Sequence, residues 1–83
     1  MIHNIIEDDV KKAVRIIDIE GIPASRRAIN WVLKYNGKKY PVKLVISKAN
    51  ISANGVELHY KEFRTGTARK YLTKLNLEVI RIR

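Results

Sequence analysis

Three lysines surround a turn signal and have the chemistry to bind an anion. Residues 36–43 read NGKKYPVK, which brings Lys38, Lys39 and Lys43 close together. Pro41 has a fixed φ and lacks a backbone donor, so it suits the first turn of a helix. Lys43 then falls at a helix N-terminus, where the helix dipole disfavours cations. An external phosphate that docks between the lysine and the free backbone N–H groups explains this placement. A solvated lysine cluster is the alternative.

A second basic helix start is predicted at residues 63–70, which read FRTGTARK. Arg69 and Lys70 fall in the first turn of this helix, and Arg64 precedes it. Thr65 and Thr67 supply hydroxyl groups, and Gly66 lets a ligand approach the backbone closely. We predict that both basic helix starts lie on one face and share one strand of DNA. In the alternative, Thr67 only caps the helix and the basic side chains point to solvent.

Positive charge is unevenly distributed along the chain, whose formal net charge is +9. Residues 1–25 carry five acidic and three basic side chains, whereas residues 26–83 carry three acidic and fourteen basic ones. This asymmetry predicts a surface for polyanions outside the first helix. Arg26 and Arg27 add a basic pair in a predicted loop, where contact with phosphates and simple solvation are both open.

Catalytic chemistry is not indicated. The fragment Asp9-Val10-Lys11 resembles part of a metal-dependent nuclease motif, but it lacks an upstream acid and Val10 belongs to a predicted core stripe. His3 falls in a segment that we expect to be frayed, and His59 falls in a loop. Neither has the neighbouring histidine, cysteine or carboxylate ligands that a metal ion requires. There is no cysteine and no glycine-rich phosphate loop. We expect a binding module without catalytic activity, cofactor, metal or small-molecule substrate.

The hydrophobic periodicity predicts an α+β domain with the order α-β-β-α-α-β and a three-stranded sheet packed against helices. The predicted helices are residues 8–20, a second helix from Pro41 to a turn at 53–55, and a third from about 65 to 75. The predicted strands are residues 29–35, 38–40 and 77–83, and residues 56–63 are predicted to be a loop.

The turn at Asn36-Gly37 is predicted to be type I′, because both residues tolerate positive φ. The first strand alternates, with one face formed by Ile29, Trp31, Leu33 and Tyr35 and the other by Asn30, Val32 and Lys34. Trp31 is expected in the core. Tyr35 and Tyr40 flank the turn, where each can pack sideways or stack on a flipped or single-stranded base.

Helix ends carry their own signals. Asp8 and Asp9 favour the start of the first helix, whose acids we expect to face water. The second helix has the widest apolar stripe and is expected to be the most buried. Either Thr65 or Thr67 is expected to cap the third helix, and Asn76 is placed where the chain must turn left-handed.

Length and hydropathy limit the number of domains and the class of protein that the chain can form. The 83 residues suffice for one small domain, here residues 1–83, and 46% hydrophobic residues suffice for a core. No apolar run is long enough to span a membrane and no signal peptide is indicated, so we expect a soluble cytoplasmic protein.

The stretch from residue 23 to residue 79 resembles the N-terminal head domain of McrA-type HNH endonucleases, restriction enzymes that attack modified DNA. That family reads approximately as GKRYPPK, ISLANxxANG, L, FSGG and LxxLGFEV. The counterparts here are residues 36–43 (NGKKYPVK), 46–50 (ISKAN), 53–55 (ANG), Leu58, 63–66 (FRTG) and 72–79 (LTKLNLEV). The chain departs from the family where its paired glycines become Thr65-Gly66 and its helix-ending glycine becomes Asn76.

The resemblance implies a non-catalytic module that binds or targets duplex DNA in a restriction or defence system, fused to or working with an effector such as a nuclease or ATPase. The expected contact residues are Arg26, Arg27, Lys38, Lys39, Tyr40, Lys43, Arg64, Thr65, Gly66, Thr67, Arg69 and Lys70. A protein-interaction or assembly module and an RNA-binding domain are the alternatives.

Overall fold

The computed structural model describes residues 2–28 and 30–82. Its helices are α1 (Glu7–Glu20), α2 (Val42–Asn54) and α3 (Thr65–Lys74), and its strands are β1 (Trp31–Tyr35), β2 (Lys38–Pro41) and β3 (Glu78–Arg81). Short 3-10 turns occupy Ala24–Arg26 and Tyr60–Glu62. The predicted α+β class and the order α-β-β-α-α-β are therefore confirmed. The second 3-10 turn lies inside the segment predicted to be a loop.

The three strands form one antiparallel sheet in the order β2-β1-β3. The turn between β1 and β2 has positive φ at both central residues, 51° at Asn36 and 78° at Gly37, and Tyr35 pairs with Lys38 across it. This confirms the predicted type I′ geometry. The last strand is shorter than predicted and ends at Arg81.

The central strand β1 buries side chains on both faces. Leu33 is fully buried in the main core, between Tyr40 of β2 and Val79 of β3. Val32 points the other way and is still only 4% exposed, with Pro41 and Ile80 in register beside it. Ile29, which we assigned to the face of Leu33, lies outside the described residues.

Packing of α1 against α2 supplies much of the core. The apolar stripe predicted for α1 is buried at Val10, Ala13, Val14 and Ile17. Ile6, which the same spacing assigned to the stripe, is 60% exposed because it lies at the N-cap, before the helix begins. Seven of the thirteen residues of α2 are buried, more than in either other helix, which confirms that α2 is the most buried helix.

The start of α1 corrects the expectation that its acids face water. Asp9 is only 7% exposed. Its carboxylate accepts a hydrogen bond from the Ile6 backbone N–H at 2.9 Å and another from the Ser52 hydroxyl at 2.6 Å. The first bond is one half of a capping box, and the second ties α1 to α2. Asp9 of the Asp-x-Lys fragment therefore has a structural role at the start of α1.

The N-terminal segment is packed, so the prediction of a frayed end was wrong. Ile2 and Ile5 are buried in the core. The Tyr71 hydroxyl donates to the Ile5 carbonyl and accepts from the Ile5 N–H, at 3.0 Å in both cases. The Asn54 side chain donates to the His3 carbonyl at 2.9 Å. These contacts hold the segment against α2 and α3.

The ends of α3 give one wrong and one confirmed prediction. Arg64 occupies the N-cap, and no side-chain hydrogen bond caps the helix. Thr65 cannot cap because it is already the first helical residue. At the other end Asn76 adopts a φ of 63°, and its N–H and that of Leu77 donate to carbonyls of the last turn. This is the Schellman arrangement, with asparagine in the left-handed position. No helix within residues 2–28 and 30–82 is long and apolar enough to cross a membrane.

Candidate nucleic-acid interface

The starts of α2 and α3 border the same cleft, which has a volume of about 460 Å³. The first of the two 3-10 turns and the beginning of β1 complete its wall. The residues that line it are Ser25, Arg26, Arg27, Ala28, Asn30, Trp31, Pro41, Val42, Lys43, Tyr60, Thr65, Gly66 and Arg69. The sheet and α2 position these groups, because β2 leads directly into α2 at Pro41.

Within residues 2–28 and 30–82, four cations line the cleft, and we call Arg26, Arg27, Lys43 and Arg69 the cleft cations. No acidic residue of these ranges lines it. Among the described residues, none of the four forms an ion pair with a carboxylate, whereas Lys12, Lys38 and Lys48 all do. The cleft therefore concentrates positive charge that the fold does not neutralise, which favours an external anion.

The two helix starts add to this field. Neither α2 nor α3 has a side-chain hydrogen bond at its N-cap. First-turn N–H groups have no partner within a helix, and the dipole places partial positive charge at the same end. Gly66 has open space where a Cβ would stand, so a ligand can approach the α3 backbone closely.

Arg26 is anchored by two contacts. Its Nη2 donates to the hydroxyl of the fully buried Ser47 at 2.9 Å. Its guanidinium carbon lies 5.3 Å from the centre of the Tyr60 ring, within the range of a cation–π interaction. The side chain is half-buried and therefore preorganised at the cleft.

Lys43 also lies over the Tyr60 ring, with its Nζ 5.6 Å from the ring centre. This Nζ donates to the Tyr60 carbonyl at 2.6 Å and lies 5.1 Å from the centre of the Phe63 ring. Burial lowers the pKa of Lys43, and the positive charge of Arg26 lowers it further. An anion in the cleft would offset both effects, because it favours the charged form of the amine.

Arg69 stacks on Trp31, with 4.4 Å between the guanidinium carbon and the ring centre. Its Nε is buried and has no hydrogen-bond partner. Buried polar groups in proteins are normally satisfied, so this guanidinium has bonding capacity that its protein neighbours do not use. Arg27 is exposed and lies in the same cleft.

Two aromatic rings line the cleft, and the sequence identified neither of them as a site residue. Trp31 packs against the core, as predicted, but it is only half-buried and also faces the cleft. Tyr60 is 42% exposed and stacks on His59 at 4.7 Å. Its segment, residues 56–63, was predicted to be a loop, and no local signal in the sequence places Tyr60 beside the start of α2.

Half of the predicted contact residues come together in the cleft. They are Arg26, Arg27, Lys43, Thr65, Gly66 and Arg69. The starts of α2 and α3 thus border one cleft, in agreement with the prediction that they lie on one face, and their sharing of one strand of DNA stays a prediction. Arg64 is exposed at the N-cap of α3, and Thr67 and Lys70 lie beside a separate shallow depression with Tyr71 and Lys74.

The hairpin lysines, Lys38 and Lys39, are not part of the cleft. Both are exposed, and Lys38 lies 3.7 Å from the Asp18 carboxylate. Lys39 is paired with Lys34 in the register of β1 and β2. Of the three lysines that the sequence grouped, Lys43 therefore lines the cleft and the two hairpin lysines do not.

Tyr40 is corrected from a contact residue to a core residue. It is 3% exposed, and its hydroxyl donates to the Asp18 carboxylate at 2.7 Å. Burial, together with the hydrogen bond to Asp18 and the charge of Asp18, raises the pKa of Tyr40 to about 12. Its ring cannot stack on a base without leaving the core.

Within the described part of the chain, no group of three or more histidine or acidic side chains could hold a metal ion. The His59 Nδ1 accepts a hydrogen bond from the Lys61 N–H at 3.2 Å, which gives it a local structural role.

Comparison with known proteins gives no relative for this chain. No protein-family model matches it, and neither the curated proteins nor the solved structures contain a significant match. The resemblance to the head domain of McrA-type endonucleases therefore stays a prediction from the sequence.

Proposed function

We propose that this protein is a non-catalytic DNA-binding module that grips the phosphate backbone of duplex DNA at the cleft. The observation that carries the proposal is the convergence of four unneutralised cations with two uncapped helix starts. Phosphates are the anions that such donors bind best, since arginine forks and helix N-termini both match their geometry.

A polyanion fits better than a small isolated anion, because positive charge continues outside the cleft. Arg64 is exposed at the N-cap of α3 and Lys70 on α3 itself, and Lys34 and Lys39 are exposed on the hairpin. A duplex presents a row of phosphates, so side chains around the cleft can contact neighbours of the phosphate that the cleft holds.

The resemblance to the McrA-type head domain gives the proposal its biological setting. A module of that kind works in a restriction or defence system and directs a nuclease or ATPase effector to DNA. The chain supplies the binding step in this proposal, and the effector supplies the chemistry.

The test compares two variants that lose the same charge at different places. The cleft variant is Arg27→Ala/Arg69→Gln. The control variant is Lys11→Ala/Arg15→Gln, which removes two exposed cations of α1 that do not line the cleft. Melting temperatures measured by circular dichroism show whether both variants are folded. Affinity for a fluorescein-labelled duplex is measured by anisotropy.

Each neutralised phosphate contributes a factor of roughly eight at about 0.1 M salt, so loss of two contacts should weaken the cleft variant roughly 60-fold. The control variant should change by less than about threefold. Equal losses in both variants would mean that charge alone, and not the cleft, binds DNA. Stronger competition by single-stranded RNA would favour an RNA-binding domain, and equal competition by polyglutamate a protein partner.

A further inference from the structure

The cleft contains more than a backbone contact needs. Beside its cations it is lined by Tyr60, by Trp31, whose ring carries the Arg69 guanidinium, and by the exposed residue Asn30. Its volume of about 460 Å³ lies within the range of pockets that enclose small ligands. Phosphates on the outside of an intact duplex would leave these aromatic and amide groups without a partner.

An unpaired nucleotide supplies partners for all three kinds of group. Its phosphate is an anion for the cations and the helix starts. Its base is a flat ring that can stack on tyrosine or on an arginine plane, and its edge can pair with an asparagine amide. Within a duplex the base is stacked between its neighbours and cannot enter a cleft unless it leaves the helix.

We propose that the cleft binds one unpaired nucleotide of a DNA strand, with its phosphate at the cleft cations and its base against Tyr60. This inference rests on the proposed function and names the form of DNA that the same site prefers. Tyr60 is the most exposed aromatic residue of the cleft, and its ring already stacks on the flat side chain of His59. Arg26 and Lys43 lie over the Tyr60 ring, 5.3 and 5.6 Å from its centre, so a base that stacks on the exposed part of this ring is close to cations that can bind its phosphate.

The test uses three duplexes of equal length and label. One is fully paired, one has a single bulged nucleotide, and one has a bulged abasic sugar at the same place. The two bulged duplexes share the same phosphates and the same break in the helix, and they differ only in the base. Affinities are measured by anisotropy at one salt concentration for the wild type, Tyr60→Ala and Tyr60→Phe.

We expect the bulged duplex to bind more tightly than both others, by roughly 5- to 150-fold, the range of one base stacked on one aromatic ring. Tyr60→Ala should remove this preference, and Tyr60→Phe should keep it because the ring remains. The exposed position of Tyr60 makes both variants compatible with folding. The readout is the ratio of the affinities for the bulged and the paired duplex within each variant, because Tyr60→Ala also removes the ring that anchors Arg26.

The outcomes separate this inference from the proposed function. Equal affinity for all three duplexes, with loss of binding in the cleft variant, would overturn the unpaired-nucleotide site and leave backbone binding intact. Equal gains for the bulged base and the abasic bulge would also overturn it, because bending and not the base would explain the preference. Absence of binding to every duplex would overturn both proposals.

Discussion

Alkaline pH should destabilise the fold through one buried tyrosine. The pKa of Tyr40 rises from its ordinary value of 10.0 to about 12 in the folded protein, because burial and Asp18 both disfavour the phenolate. Between these two values the folded state keeps a proton that the unfolded state has lost. The contribution of Tyr40 to stability is therefore complete below about pH 10 and disappears as the pH rises through about 12.

The size of the loss follows from the two pKa values. One unit of difference corresponds to about 1.4 kcal/mol, so the full loss is about 2.7 kcal/mol. Integration of the linkage relation gives a decrease of about 1.4 kcal/mol by pH 11 and about 2.3 kcal/mol by pH 12. Because Tyr40 is only 3% exposed, solvent does little to screen this effect.

The assay is urea denaturation followed through the fluorescence of Trp31, for the wild type and Tyr40→Phe. Phenylalanine cannot donate to Asp18 or ionise, so the variant should be less stable near neutral pH and should lose less stability at high pH. The stability advantage of the wild type should shrink by about 2.3 kcal/mol between pH 8 and pH 12. Tyr60→Phe, at an exposed position, serves as control and should follow the wild type. Parallel stability curves for the wild type and Tyr40→Phe would refute the reasoning.

The cleft cations, the cap of α1 and the lowered pKa of Lys43 each give a further prediction. The affinity of the wild type for a paired duplex should fall with salt at a log–log slope of roughly −3.6 if each of the four cleft cations neutralises one phosphate, and the cleft variant should halve that slope; a slope near zero in a salt titration would exclude the electrostatic mode. Asp9→Ala should lower the free energy of unfolding by about 2–3 kcal/mol, since it removes a helix cap and the bond from Ser52, whereas Asp8→Ala should change it by less than about 0.5 kcal/mol in the same urea titration. Duplex binding should raise the lowered pKa of Lys43, so calorimetry near that pKa in buffers of different ionisation enthalpy should detect proton uptake, and Lys43→Ala should abolish it.

Local signals in the sequence predicted the local structure well. The Asn36-Gly37 turn depends only on the φ that two residues tolerate, and Asn76 at the end of α3 follows the same rule. The stripe of α1 follows from helical periodicity. The burial of Tyr40 could also be predicted from the sequence. A two-residue turn pairs Tyr40 with Leu33, which was assigned to the apolar face of β1.

The remaining features depend on tertiary contacts. The burial of Asp9 follows from Ser52, which is 43 residues away. Lys43 lines the cleft whereas Lys38 and Lys39 do not, and this difference depends on the packing of α2 and α3, which a short stretch of sequence does not reveal. The place of Tyr60 depends on how its loop folds back on the start of α2, and no periodicity encodes that path.

The two hydrogen bonds between the Tyr71 hydroxyl and the backbone of Ile5 bear on the order in which the chain folds. These bonds join residues 66 positions apart. The entropy of closing so large a loop is lost before the contacts that stabilise the closed loop can form. The hairpin and the α1–α2 pair involve shorter separations and can form earlier. Since α3 contributes Thr65, Gly66 and Arg69 to the cleft, the proposed binding surface is complete only after α3 has docked. If the proposed function holds, the hairpin and the α1–α2 pair would fold before the chain could bind DNA.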